Sequence, residues 1–211
     1  MGGLSTVELV DYGHVQAWSL TDPSYRIDVP STWQPGDVMV GAAFINTSLA
    51  DTAGSRPDGW TELHDGGARA ACWYRVLEDG DDHWDVNTAL TSESVWVWMS
   101  FRGVDPNDPI GAFQRFTSYD DWPTLDMQDG RTLVGFLLTS LSSSNNPVVE
   151  PAEVWDEHLN GKDTGNDIRW IAATRGYDDG PGDSGELGEL SALPASSLVN
   201  MYLLELRRGR R

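Results

Sequence analysis

The chain repeats itself, and this repeat limits the folds that it can adopt. Four segments appear in the first half: "PGDVMVGAAFIN" (35–46), "PDGWTELHD" (57–65), "ARAACWYRVLEDG" (68–80) and "ESVWVWMSFRG" (93–103). Four similar segments recur in the same order: "DGRTLVGFLLTS" (129–140), "PAEVWDEHL" (151–159), "DIRWIAATRGYDDG" (167–180) and "SSLVNMYLLELRRG" (196–209). Two units are too few for a solenoid, so we expect two similar halves.

The repeated segments have the pattern of β-strands. Residues 36–46 are apolar on both alternating faces, which is typical of a strand covered on both sides. Residues 94–104 alternate with a period of two. The 22 glycines and 11 prolines favour short strands joined by turns. We therefore predict an all-β, antiparallel β-sandwich with jelly-roll-like topology, in which each half supplies strands to both sheets. Two small independent barrels are the alternative.

At 211 residues the chain holds one large domain or two small ones. We predict a single β-sandwich domain over residues 1–211, with pseudo-repeats at about 33–104 and 128–209 and a basic tail at 205–211. Outside the repeats we expect strands at 6–10, 14–20 and 24–30, and a long turn-rich connection over 105–130.

The charge is strongly uneven. A net charge of -19 argues against a nucleic-acid partner, because phosphate contacts need a basic face. The last five residues, "RRGRR", nevertheless contain Arg207, Arg208, Arg210 and Arg211. These arginines form either a solvated tail or a segment that docks on an acidic partner, and docking of that kind would weaken with salt.

Targeting and redox signals are few. Met1 is followed by neither a basic region nor a long apolar core, so we expect no signal peptide. The sequence contains no run of about 18 apolar residues, so we predict no membrane insertion. Cys72 is the single cysteine and lies in the apolar run "AACWYRV", which favours an inert buried thiol.

The sequence shows no catalytic constellation. His14, His64, His83 and His158 have no close zinc-ligand spacing. There is no G-x-S-x-G nucleophile elbow and no phosphate-binding loop. We therefore predict a protein that is not an enzyme and that needs no cofactor.

Two acidic, glycine-containing turns have two interpretations. They are solvated loops, or they hold calcium, which prefers six to eight oxygen ligands. The calcium hypothesis names Asp79, Asp81, Asp82, Asp178, Asp179 and Asp183. Both turns follow the pattern R-x-x-x-D-G, beginning at Arg75 and Arg175. We interpret this pattern as a repeated strand end, in which each arginine contacts carboxylates or carbonyls.

Nine of the ten tryptophans divide into two groups. The strand-like segments contain Trp60, Trp73, Trp96, Trp98, Trp155 and Trp170, which we assign to the core. Turn-like surroundings contain Trp33, Trp84 and Trp122. Trp122, with nearby Tyr119, is a candidate exposed site for a sugar or a protein partner, because aromatic side chains are enriched at such surfaces.

Three motifs of the first half, "PGD", "GWT" and "RGVDPNDPI", resemble those of a β-sandwich family found in tailed-phage virion proteins and bacterial surface proteins. The resemblance covers about residues 33–206 and is strongest in the first half. The second half departs from it, with "AEVW" in place of x-G-W and no "GVD" after "LRR". The resemblance implies a sandwich fold, a virion or surface setting, and no catalytic residues.

These observations predict a non-enzymatic structural protein of a tailed bacteriophage. It would be made in the bacterial cytoplasm and would assemble with other virion subunits and with itself. We favour a minor tail or tail-associated protein, with a capsid decoration protein as the alternative. A carbohydrate-binding module for the host envelope is the hypothesis from another class.

Overall fold

We describe the fold from a computed structural model of the chain. It describes residues 6–17, 24–45, 59–65, 70–87, 94–117, 125–127, 132–140, 148–151, 155–162, 168–176, 182–183, 188–191 and 198–209. Every regular element in these ranges is a β-strand, and every pairing is antiparallel. The predicted all-β, antiparallel sandwich class is therefore confirmed. This part of the chain includes no apolar helix of membrane-spanning length.

The chain divides into two compact units, Glu8–Pro106 and Asn107–Arg211 together with Met1–Val7, which we call the N-terminal and C-terminal units. The N-terminal unit has seven described strands: Glu8–Ala17 (β1), Ser24–Asp28 (β2), Val38–Ile45 (β3), Thr61–Asp65 (β4), Ala70–Val76 (β5), His83–Asn87 (β6) and Ser94–Arg102 (β7). Five of them form a sheet in the order β1-β7-β3-β5-β4, and β2 pairs with β6 in a separate ladder.

The two ladders of the N-terminal unit pack together as two layers. Ile27 of β2 and Trp84 of β6 share a buried cluster with Met39, Trp73 and Trp96 of the five-stranded sheet. The chain therefore crosses between the layers four times, from β1 to β2, from β2 to β3, from β5 to β6 and from β6 to β7. The opposite face of the large sheet is also buried, as the pattern of β3 predicts.

The C-terminal unit repeats this arrangement. Its strands are Ile110–Phe116 (β8), Asp126–Met127 (β9), Thr132–Ser140 (β10), Val148–Pro151 (β11), Asp156–Lys162 (β12), Ile168–Gly176 (β13), Gly182–Asp183 (β14), Gly188–Ser191 (β15) and Leu198–Leu206 (β16). The five-stranded sheet has the order β12-β13-β10-β16-β8, and β9–β14 and β11–β15 form short ladders. Leu125, directly before β9, packs on Leu133, Trp155 and Met201 in a second buried cluster.

Strand register confirms the predicted repeat. Met39 lies opposite Arg75, and Leu133 lies opposite Arg175. These pairs align β3, β4, β5 and β7 with β10, β12, β13 and β16, and they make β1 the counterpart of β8. All four edge strands have a register irregularity, and the edges correspond in pairs. The repeat therefore extends to the edges of the sheets.

Three boundary predictions differ from the structure. Residues 6–10 and 14–20 were expected as two strands, but β1 is continuous and has a bulge between Leu9 and Asp11. Strand β8 lies inside the predicted connection 105–130. Glu205 and Leu206, assigned by sequence to the basic tail, are buried strand residues.

A further difference concerns the sheets. Each five-stranded sheet takes its strands from one half of the chain, whereas we expected each half to supply strands to both sheets. Pairing within each half needs shorter connections, which cost less loop-closure entropy. The single domain over residues 1–211 stays a prediction.

Candidate functional site

The motif residues of the first half meet at one end of the N-terminal sheet. Strand β3 begins there, directly after Asp37, and β5 and β7 end there, near Arg75 and at Arg102. Antiparallel pairing brings these three positions together although they are far apart in sequence. We take this "motif end" as the candidate site because it contains the polar residues behind the family resemblance.

Asp37 and Arg102 form the first pair of the motif end. Arg102 Nε donates to Asp37 Oδ1 at 3.1 Å, and Nη2 donates to Asp37 Oδ2 at 2.8 Å. Nη2 also donates to the Thr32 carbonyl at 2.8 Å. Asp37 is only 3% exposed, so this two-pronged contact holds a buried charge. The hydrogen bonds that Arg102 donates to Asp37 raise the pKa of Arg102, although burial opposes this shift.

Asp37 also fixes the turn that precedes β3. Its Oδ2 accepts a hydrogen bond from the Gln34 backbone N–H at 2.8 Å. Its backbone carbonyl accepts the Leu77 N–H at 2.8 Å, and Gly36 N–H donates to the Leu77 carbonyl at 2.8 Å. Gly36 has a φ of 90°, which favours glycine and explains this residue of the "PGD" motif.

Arg75 and Asp81 form the second pair. Arg75 Nη2 donates to Asp81 Oδ1 at 2.7 Å, and Nε donates to Oδ2 at 3.1 Å. The guanidinium carbon lies 5.3 Å from the centroid of the Trp84 ring, within cation–π range. Arg75 also covers Gly59, where a Cβ atom would collide with its guanidinium. The prediction that Arg75 contacts a carboxylate at the strand end is confirmed.

At the motif end, Arg75 and Arg102 are both paired with carboxylates. Their partners, Asp81 and Asp37, are both largely buried. Cys72 is buried, as predicted, and burial raises the pKa of its thiol, which disfavours the reactive thiolate. The Asp37–Arg102 pair was missed by sequence analysis. The available signal was that "PGD" starts the strand that lies beside the strand ending in "RG".

The calcium candidates lie in different settings. Both Asp81 oxygens bind Arg75, and Oδ2 also accepts the Glu78 N–H at 2.9 Å. Asp82 Oδ1 lies 2.6 Å from His83 Nδ1, and Asp79 is exposed. No three of the described His, Cys, Asp or Glu side chains are grouped so as to hold a metal ion.

The second acidic turn contributes little to the described structure. The backbone of Asp183 pairs with Asp126 in the β9–β14 ladder. Asp178 and Asp179 lie outside the described residues. A calcium site at this turn therefore stays a prediction.

The tryptophan assignments are largely confirmed. Trp60, Trp73, Trp96, Trp155 and Trp170 are buried, and Trp98 is partly buried. Trp73 and Trp96 are stacked, with ring centroids 5.0 Å apart. Trp84, assigned to a turn, is instead a buried β6 residue, because it packs edge-on against Trp60.

Trp122 and Tyr119 lie outside the described residues, and sugar or protein binding there stays a prediction.

The basic tail is partly committed to its own chain. The Arg207 guanidinium is paired with the Asp108 carboxylate, and its backbone N–H donates to the Pro109 carbonyl at 2.9 Å. Arg208 is half-buried. Arg210 and Arg211 lie outside the described residues. Docking on an acidic partner therefore rests on these last two arginines.

Comparisons with known proteins add no relative. No family model, no curated protein and no solved structure matches this chain.

Proposed function

We propose that this protein is a non-enzymatic structural subunit of a tailed-phage particle. The observation that carries the proposal is the motif end, where the buried Asp37 joins the start of β3 to Arg102 at the end of β7, and the largely buried Asp81 binds Arg75. A catalytic arginine or carboxylate needs access to a substrate, whereas a structural subunit needs a stable framework. The family resemblance of "PGD", "GWT" and "RGVDP" points to the same role.

The position that we propose is the tail, as a minor tail or tail-associated protein. Capsid decoration is the alternative, since the resemblance covers virion proteins generally. The charge distribution supports assembly on other subunits, because a chain of net charge -19 also carries a cluster of four arginines at 207–211. Self-association into a symmetric oligomer belongs to the same proposal.

The direct test is mass spectrometry and cryo-electron microscopy of purified particles from a host that expresses the chain. We expect the chain in stoichiometric amount, with density on the tail. Density on the head would select the decoration alternative. Absence of the chain from particles that contain all other structural proteins would contradict the proposal.

The tail arginines allow a finer test. Replacing Arg210 and Arg211 by alanine should leave the fold intact, because the Arg207–Asp108 pair is kept, and should lower incorporation into particles. The matched control is Asp108→Ala, which removes that pair but keeps all four tail arginines. Unchanged incorporation of the double variant would contradict docking through the tail.

A further inference from the structure

The turn between β5 and β6 contains a pair of residues that can react with each other. The sequence contains Asp–Gly at 58–59, 65–66, 79–80, 129–130 and 179–180. Residues 79–80 are the one such pair that lies wholly within the described part of the chain. An aspartate followed by glycine can close a five-membered succinimide ring, because glycine has no Cβ atom to hinder attack by its backbone nitrogen. Asp79–Gly80 is therefore a candidate site of covalent modification.

The turn leaves both reacting groups accessible. Asp79 and Gly80 are exposed, and a Cβ atom at Gly80 would meet nothing within 4 Å. Among the hydrogen bonds and ion pairs of the described residues, none involves the Asp79 carboxylate or the Gly80 N–H. Neither group therefore has to give up a contact before the nitrogen approaches the carboxyl carbon.

The backbone of the turn permits the rotation that ring closure needs. The Asp81 N–H donates to the Glu78 carbonyl at 3.1 Å, and Gly80 has a φ of 95°. Residues 78–81 therefore form a type II turn with Asp79 and Gly80 at its centre. Type I and type II turns differ mainly in the orientation of the central peptide. The Asp79–Gly80 peptide can thus rotate while the ends of the turn stay in place.

We propose that Asp79–Gly80 is a site of spontaneous isoaspartate formation, and that the modification separates Asp81 from Arg75. The Gly80 nitrogen attacks Cγ of the protonated Asp79 carboxyl group, and the amide proton leaves with the carboxyl hydroxyl group as water. Water then opens the ring at the main-chain carbonyl carbon of Asp79 and breaks the bond from that carbon to the Gly80 nitrogen. The main chain now runs through Cβ and Cγ of Asp79, and the former main-chain carbonyl is a carboxylate. One water leaves and one enters, so no other reactant is needed.

The modification adds one carbon atom to a segment of main chain that is held at both ends. The Leu77 N–H donates to the carbonyl of the residue before β3 at 2.8 Å, and the Asp82 carbonyl accepts the N–H of the residue after β2 at 3.0 Å. Residues 78–81 must therefore absorb the extra length. Asp81 lies in this segment, and its carboxylate reaches Arg75 Nη2 at 2.7 Å because the turn returns the chain toward β5. A longer turn moves Asp81 away from that position.

The neighbouring acids lack this combination of features. The Asp81 carboxylate is occupied by Arg75 and by the Glu78 N–H, and the next residue is an aspartate rather than a glycine. Asp82 Oδ1 lies 2.6 Å from His83 Nδ1, and the next residue again has a side chain. The modification should therefore affect Asp79 and spare both neighbours, which serve as internal controls.

Peptide mapping of the folded full chain after several weeks in neutral buffer tests the modification. An isoaspartyl methyltransferase supplied with a labelled methyl donor marks the new carboxylate, and fragmentation of the labelled peptide locates it. We expect the label at Asp79 and its loss in Asp79→Glu, which keeps the charge but would need a six-membered ring that closes far more slowly. Asp79→Asn should be labelled sooner than the parent chain, because a neutral amide is attacked more readily than a carboxylate.

Two outcomes would overturn the assignment of the site. An unlabelled Asp79 in the folded chain, with label after the same time in denaturant, would show that the turn protects the pair. Label that persists in Asp79→Glu would place the reaction at another acid.

Urea denaturation of the modified chain, separated from the fresh chain by chromatography, tests the loss of the Arg75–Asp81 contact. The modified chain should unfold at a lower urea concentration than the fresh chain. In Asp81→Asn, which already lacks the charge that binds Arg75, the same modification should bring little further loss. An unchanged midpoint in the parent chain, or an equal loss in both chains, would show that the contact survives and would overturn this part of the proposal.

Discussion

The two units share a topology but hold their strand ends by different polar contacts. In the N-terminal unit, Arg102 at the end of β7 binds the buried Asp37 that precedes β3. In the C-terminal unit, Arg207 follows β16 at the equivalent position but binds Asp108, whose side chain is 61% exposed. The residue that corresponds to Asp37 in the second half is Arg131. The sheet order therefore does not depend on one particular ion pair.

The buried interior differs in a related way. Ser100 of β7 and Glu205 of β16 occupy equivalent positions, opposite Met39 and Leu133, and both are fully buried. Glu205 fits because Gly111 on the neighbouring strand has no side chain, and a Cβ atom there would lie 2.5 Å from Glu205 Oε2. The two units thus share their apolar alternation and their edge irregularities, whereas each unit has its own set of polar contacts.

The largest effect should come from removing the acid of the Asp37–Arg102 pair, compared with removing the acid of the Arg207–Asp108 pair. Asp37→Ala removes two hydrogen bonds to Arg102 and one from Gln34, and should cost about 2–3 kcal/mol of unfolding free energy. This is less than for a fully buried pair, since Arg102 retains some exposure to water. Asp108→Ala should cost less than about 1 kcal/mol. Chemical denaturation of both variants measures the difference, and equal costs would contradict the contrast between the units.

The next effect concerns glycines that lie beneath tryptophans. Gly161 of β12 lies opposite Trp170, and Gly13 of β1 lies opposite Trp98. A Cβ atom at either glycine would collide with the indole ring. Trp170 is 2% exposed and cannot move aside, whereas Trp98 is only partly buried. Gly161→Ala should therefore cost about 2 kcal/mol and Gly13→Ala about 1 kcal/mol. Thermal unfolding measures both costs. A larger loss for Gly13→Ala than for Gly161→Ala would show that the exposure of the tryptophan does not determine how easily its ring moves aside.

Strand content and the core could be predicted because they depend on local patterns. Alternation in 36–46 specifies a strand buried on both faces, and β3 is that strand. The break expected in β1 was wrong because "DYG" resembles a turn, although Gly13 is in fact needed to accommodate Trp98. Strand β8 was missed because the turn-rich "DPNDP" directly precedes it. Both errors arose because contacts with neighbouring strands decide the structure at these positions, and a short window of sequence does not contain those strands.

The site was harder to predict for the same reason. The Asp37–Arg102 pair joins residues that only the register of β3 and β7 brings together. The R-x-x-x-D-G pattern directed attention to Asp79, but the turn at Gly80, with a φ of 95°, returns the chain so that Asp81 reaches Arg75. Side-chain direction after a turn depends on backbone geometry that spacing alone does not specify.

That distinction gives a smaller, sharper test within one turn. Asp81→Asn removes the charge that binds Arg75 and should cost about 1–2 kcal/mol. Asp79→Asn changes an exposed neighbour and should stay within about 0.5 kcal/mol of the parent chain. Urea denaturation distinguishes the two. A larger loss of stability for Asp79→Asn than for Asp81→Asn would show that Asp79 is the acid that stabilises this turn.

The smallest expected effect is a pH dependence of stability that arises at the β12 bulge of the C-terminal unit. His158 occupies the bulge of β12, its Nε2 lies 2.7 Å from Thr174 Oγ1, and burial lowers its pKa although Asp156 opposes the shift. The unfolded chain therefore binds this proton more tightly. The contribution of neutral His158 to stability is complete above the ordinary pKa of about 6.5 and declines as the pH falls toward the lowered pKa.

The corresponding bulge residue in β4 is Leu63, which does not titrate, so His158→Leu copies the N-terminal unit. All carboxylates are common to both proteins, and the difference between their unfolding free energies isolates the histidine. We expect the parent chain to lose more stability than His158→Leu between about pH 7.5 and about pH 5.5. Parallel pH profiles would mean that the bulge is exposed to water in the folded chain.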